Sequence, residues 1–315
     1  MINRIIRYYN QNRKAIIIFI ISVAFVIFLI QLLKNASIKK NQDIINQEIN
    51  KRNQIVSINN KVNNSTVSNN ELNNKDGLTN REKAVDEFVK YCNQGEVDKA
   101  YNILSDDCKK AMFTTKDKFK SEYYDKVFNS KKMYSLESSK YGNTVSKITY
   151  YNDALSTGTL TESKYVDYIY TVKENEKEKI SINGFLYTDK INKNYQGKSI
   201  DINVIEKQVY IDYEIYKISF TNNSANRILL DTKKDKNSLS VSDRSGTKYA
   251  SYVDTMATEM LVIGSKVSRT IDIKFNKMYN ENRIVDTMNF QDIVSNYDNY
   301  IAGKEYETIK LSLKL

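Results

Sequence analysis

The chain has two cysteines and no histidine among its 315 residues, which limits its chemistry. Without an imidazole there is no Ser-His-Asp or Cys-His nucleophile pair and no histidine metal site. No Gly-rich phosphate loop is present; Gly264, in Ile263-Gly264-Ser265-Lys266, is a lone turn residue. Asp231, Asp235 and Asn237 share a loop but miss the calcium-loop spacing and its central glycine. No catalytic set, cofactor site or metal site follows from these residues. Cys92 and Cys108 are the remaining reactive groups, and both fall on apolar stripes of predicted helices. They read either as two buried thiols acting as small hydrophobes or as a disulfide across a helical hairpin. The bridge requires the second helix to break at Ser105, because a straight helix carries Cys108 roughly 15 Å beyond the level of Cys92.

The elements that position these residues follow from periodicity. Ala84, Val85, Phe88, Val89 and Cys92 repeat at helical spacing, ended by Asn93-Gln94-Gly95. Val97, Ala100, Tyr101 and Leu104 start a second stripe. It either breaks at Ser105-Asp106-Asp107, which suits a new N-cap, or continues to Met112. Thr114 with Asp117 reads as the cap of a third helix carrying Phe119, Tyr123 and Val127. The period then changes to two: Val166, Tyr168, Tyr170 and Val172 alternate with Tyr165, Asp167, Ile169 and Thr171, and 143–151 and 179–187 behave alike. Helices followed by antiparallel strands predict an α+β domain over 81–195. Residues 196–315 are nearly all strand, with turns at Asn222-Asn223-Ser224 and Asp243-Arg244-Ser245-Gly246 and a final strand through Ile309, Leu311, Leu313 and Leu315. A β-sandwich is expected there.

Upstream, Ala15 to Leu33 is apolar except for Ser22 and Gln31, and roughly 28 Å of helix would cross a hydrocarbon core. Arg4, Arg7, Arg13 and Lys14 precede it, so residues 1–14 are expected to be a cytoplasmic tail, 15–33 a transmembrane helix, and the rest extracellular at the plasma membrane. Residues 34–80 hold fourteen asparagines and no aromatic residue, the composition of a spacer. Of the net charge of +10, +7 lies before residue 81. The nearly neutral remainder argues against nucleic acid and for membrane lipid or cell-wall polyanions as the basic segment's partners. Abundant Asn, Lys, Ile and Tyr, whose codons are AT-rich, point to a low-GC, Gram-positive source.

Phe88-Val89-Lys90-Tyr91-Cys92-Asn93-Gln94-Gly95 and Asp98-Lys99-Ala100-Tyr101-Asn102-Ile103-Leu104-Ser105 resemble the opening of a nuclear-transport-factor-2-like domain. That resemblance implies a cone of helices on a curved antiparallel sheet over about 81–190. It is similar to the extracytoplasmic scaffolds of type IV secretion and conjugation machines, the TcpC-type proteins. Tyr216-Lys217-Ile218-Ser219-Phe220-Thr221-Asn222-Asn223 and the last strands are similar to immunoglobulin-like domains of Gram-positive surface proteins. The chain departs there from the TcpC pattern, where a second cone-shaped domain is expected. Enzymes of the cone-shaped class use Asp and Tyr groups in a pocket at the open end of the sheet, which singles out Asp167, Tyr168 and Tyr170. The same residues also occur on any exposed sheet.

Together these readings predict a non-enzymatic, membrane-anchored scaffold of the cell envelope that binds other envelope proteins or itself. A conjugation-machine subunit, and a small-ligand binder or enzyme using the cone pocket, are the alternatives.

Overall fold

The computed structural model describes residues 79–142, 144–152 and 164–315. Thr79 opens the first helix, α1 (Asn80–Asn93), through a reciprocal capping box: its hydroxyl accepts from Glu82 N–H while the Glu82 carboxylate accepts from Thr79 N–H. The predicted stripe of α1 is buried from Ala84 to Cys92, and Gly95 takes φ +73° just past its end. After α2 (Val97–Ile103) the chain breaks at Ser105, whose Oγ accepts from Cys108 N–H at 3.1 Å to start α3 (Asp106–Ala111). The next helix is capped one residue later than expected, by Thr115, which accepts from Lys118 N–H. It runs from α4 (Lys116–Phe119) through a π-helical turn (Lys120–Tyr124) into α5 (Asp125–Val127). Phe119, Tyr123 and Val127 are spaced by four, which drifts around an α-helix; the wider π turn keeps all three facing the core.

Three antiparallel sheets follow. The first is a meander of β1 (Lys132–Ser138), β2 (Val145–Asn152), β3 (Lys164–Glu174) and β4 (Lys177–Ser181), with the helices packed on one face. The second holds β5 (Phe185–Gln196), β6 (Ile200–Tyr210), β7 (Glu214–Asn222) and, after the elements of the third, β12 on its far edge. The third is built from β8 (Ile228–Leu229), β9 (Leu239–Asp243), β10 (Lys248–Ala250) and β11 (Val262–Ile263). It is completed, after β12 (Ser268–Phe275) in chain order, by β13 (Val285–Val294) and β14 (Thr308–Lys314). Short helices α6 (Thr258–Leu261) and α7 (Tyr297–Ile301) sit in its connections. The second and third sheets share one core, in which Tyr216, Ile218, Phe220 and Phe275 meet Leu239, Val241, Met288 and Phe290. Phe220 and Phe290 pack edge to face at 5.8 Å.

This architecture corrects the expected fold class of transmembrane helix, cone-shaped α+β domain and immunoglobulin-like sandwich. The described residues are mostly strand, in three sheets. Among them no helix is long and apolar enough to cross a membrane, so the transmembrane and membrane descriptions have no element here to rest on. The longest helix among the described residues, α1, has 14 residues, roughly 21 Å, and its outer face is charged. The tail 1–14, the apolar run 15–33 and nearly all of the spacer 34–80 lie outside the described residues. The β5–β6 hairpin straddles residue 195, pairing from Phe185↔Tyr210 to Gln196↔Asp201, and so couples the two regions that the sequence separated there. The alternation over 179–187 is two strands joined by a turn at Asn183-Gly184.

Candidate functional site

Asp167 lies on β3, paired opposite Ile148 of β2, on the sheet face that meets the helices. It is 5% exposed. Its Oδ2 accepts from the Tyr123 hydroxyl (2.9 Å) and Asn183 N–H (2.8 Å). Its Oδ1 accepts from Gly184 N–H (3.0 Å) and Tyr168 N–H (2.7 Å). Asn183 (φ 60°) and Gly184 (φ 69°) form the left-handed pair of a tight turn that carries the chain from β4 in the first sheet to β5 in the second, closed by Phe185 N–H donating to the Ile182 carbonyl at 3.3 Å. Their two N–H groups converge on the carboxylate from 16 and 17 residues away. Burial pushes Asp167 above the usual carboxylate range, against the opposing pull of these hydrogen bonds. Tyr123 and Tyr150, their hydroxyls 3.4 Å apart, are raised well above the ordinary phenol value by burial and then by the Asp167 charge. Both phenols therefore stay protonated, and Asp167 is the acceptor for Tyr123 and for the turn, with Tyr150 joined to it only through the Tyr123 hydroxyl.

Tyr168 and Tyr170 point to the opposite face of β3, as strand alternation requires. There they join Val145, Leu186, Val209 and Tyr279; Tyr168 packs edge to face on Tyr141 at 5.4 Å, and Tyr170 lies 5.5 Å from Tyr187. The three residues singled out in the sequence are thus divided between two faces of one sheet and line no common pocket.

Cys92 and Cys108 are buried and free. Burial raises both thiols, Cys108 to about 12 and Cys92 further, so neither supplies thiolate at neutral pH. The break at Ser105 is present, but it serves to cap α3 and to bond Ser181 Oγ at 2.8 Å. In the loop at 231–237, Asp231 accepts from Lys233 N–H and the Ser238 hydroxyl, and Asp235 accepts from Asn237 N–H. Among the described residues no three His, Cys, Asp or Glu side chains gather as a metal site. Gly264 is a turn residue whose carbonyl accepts from Asn222 Nδ2 at 2.9 Å.

Two features were not singled out in the sequence. A buried ion pair joins Lys277 Nζ to Glu214 Oε1 at 2.8 Å, each side chain 3% exposed, and the Tyr216 hydroxyl donates to Glu214 Oε2 at 2.7 Å. Sixty-odd residues separate Lys277 from Glu214 in the chain, so no local pattern announces the pair. The second is an open groove of about 580 Å³ between α1, α2 and the β3–β4 hairpin. Its lysines are scattered over four elements, and only the fold gathers them.

Comparison with known proteins yields no matching family model, no matching curated protein and no matching solved structure.

Proposed function

We propose that this chain is a non-enzymatic binding and scaffold protein of the cell envelope. The observation that supports this reading is the use made of Asp167. A carboxylate has about four acceptor positions, and the fold's own donors take four hydrogen bonds from this one. A general acid or base needs a free position within reach of a substrate proton. The two thiols are buried and protonated, so neither serves as a nucleophile. What faces solvent is recognition surface: a charged groove on the helical side and half-exposed tyrosines across the sheet.

Site-specific photo-crosslinking in intact cells tests the reading. A crosslinker placed in turn at exposed positions such as Lys83, Val267 and Ile301 should give discrete adducts from one face. Adducts of twice the chain mass would identify a second copy as the partner. No adduct at any exposed position overturns the proposal.

A further inference from the structure

We infer that the groove between α1, α2 and the β3–β4 hairpin takes an acidic, extended peptide segment of a partner protein. This inference rests on the binding reading above and names the partner's chemistry. The groove's volume falls within the range of formed ligand sites. Five lysines line it against three glutamates: Lys83, Lys99, Lys173, Lys177 and Lys179. Lys99 is already paired with Glu96, and Lys173 with Glu176. Lys83 and Lys177, both exposed, enter no ion pair among the described residues. Lys179 is half-buried; its Nζ donates only to the Asn102 carbonyl, with no carboxylate at ion-pair distance. Burial and the nearby Lys109 push its ammonium below the ordinary lysine range. An anion beside Lys179 relieves that state, because a nearby opposite charge favours the charged form.

The rest of the lining selects among anions. Glu87 and Glu178 stand in the same groove and repel a uniform polyanion such as a polyphosphate. A peptide carries N–H donors along with its carboxylates and can meet Glu87 and Glu178 as well as the lysines, which a polyphosphate cannot. Tyr91 and Ile103 supply half-buried apolar surface between the charges, so side chains of alternating character fit better than a run of charge. An extended segment delivers that alternation, since successive side chains point opposite ways.

The test is fluorescence anisotropy on the full chain with a labelled octapeptide of alternating glutamate and leucine. The same peptide with lysine for glutamate, and inorganic polyphosphate, serve as comparisons. Saturable binding of the acidic peptide alone is expected, weakening with added salt. The Lys83→Glu/Lys177→Glu variant should bind about tenfold more weakly. Lys236→Glu/Lys248→Glu, an equal charge change on exposed sites away from the groove, should leave Kd unaltered. Equal weakening in both variants would reduce the effect to net charge and overturn the inference. So would tighter binding of polyphosphate than peptide, or no saturable binding. Crosslinked adducts persisting at another face in that case would sink the groove and leave the scaffold reading standing.

Discussion

Two carboxylates in different regions of the molecule perform the same task with opposite electrostatic outcomes. Asp167, in the helix-backed sheet, accepts the Asn183 and Gly184 N–H groups of a turn remote in sequence. Asp243, at the end of β9 in the third sheet, accepts the Ser245 and Thr247 N–H groups of its own turn, with Gly246 at φ 83°. Burial raises Asp167 above the ordinary carboxylate range, whereas the Ser245 hydroxyl bond, with Tyr249 and the turn amides, holds Asp243 down at about 2. The difference lies in what surrounds the oxygens. Both carboxylates are buried, each 5% exposed; at Asp167, closed in beneath Tyr123 and Tyr150, desolvation exceeds the hydrogen bonds, whereas at Asp243 two hydroxyls and two turn amides together outweigh it. A carboxylate in a turn is thus a local staple at one site and a tertiary clamp at the other.

The comparison can be broken most forcefully at a third buried acid. Glu214 is neutralised by Lys277, and Lys277→Ala leaves it buried without its cation. The expected loss is about 3–5 kcal/mol in denaturant unfolding. Restoring a cation through Lys277→Arg should recover part of it, and no recovery would assign the loss to packing. Next comes Asp167→Ala, which strands two turn amides and a phenol in the core. A loss of about 2 kcal/mol is expected, and Asp167→Asn should fall between it and the native chain. Gly184→Ala sharpens the point: its Cβ meets nothing within 4 Å, so only the left-handed φ opposes it. About 1 kcal/mol is expected from that strain, and a much larger cost would mean that the turn tolerates no adjustment against Asp167.

The pH dependence separates the two carboxylates by sign. Asp243 is depressed, so its contribution is present above the unfolded value of about 3.9 and is lost as pH falls through about 2. Asp243→Asn should remove that acid-side loss. Asp167 is raised, so its titration contributes fully below the unfolded value and less as pH rises through the higher folded one. The stability difference between the native chain and Asp167→Asn should therefore narrow on going from acid toward neutral pH. Parallel trends for the two variants would refute the contrast.

Local periodicity made much of this legible. The α1 stripe ending at Cys92, the alternation of β3 and the Asp243–Gly246 turn are properties of neighbouring residues, and each stands where the sequence puts it; at Ser105 the sequence left a break or a continuous helix open, and the chain takes the break. The Asn183-Gly184 turn also had its signal, a two-residue pair that favours positive φ. It was hidden because Ile180, Ile182 and Phe185 around it suggest one continuous apolar segment. What no local pattern carries is pairing. The β5–β6 hairpin crosses residue 195, and strand period is the same whichever sheet a strand joins. Asp167, Tyr168 and Tyr170 are close in sequence, yet a period of two sends them to opposite faces. Asp167 takes its partners from a helix 44 residues upstream and a turn 16 residues downstream. Lys277 and Glu214 meet only because β12 returns alongside β7.

Hydrogen exchange at two backbone amides tests most directly whether Asp167 serves the fold. In the native chain the Asn183 and Gly184 amides donate to a buried carboxylate and should exchange slowly. In Asp167→Ala both should exchange far faster, while amides of the β7–β12 ladder keep their native rates after correction for any global loss of stability. Unchanged protection of Asn183 and Gly184 in that variant would contradict the account and return Asp167 to the list of groups free for chemistry.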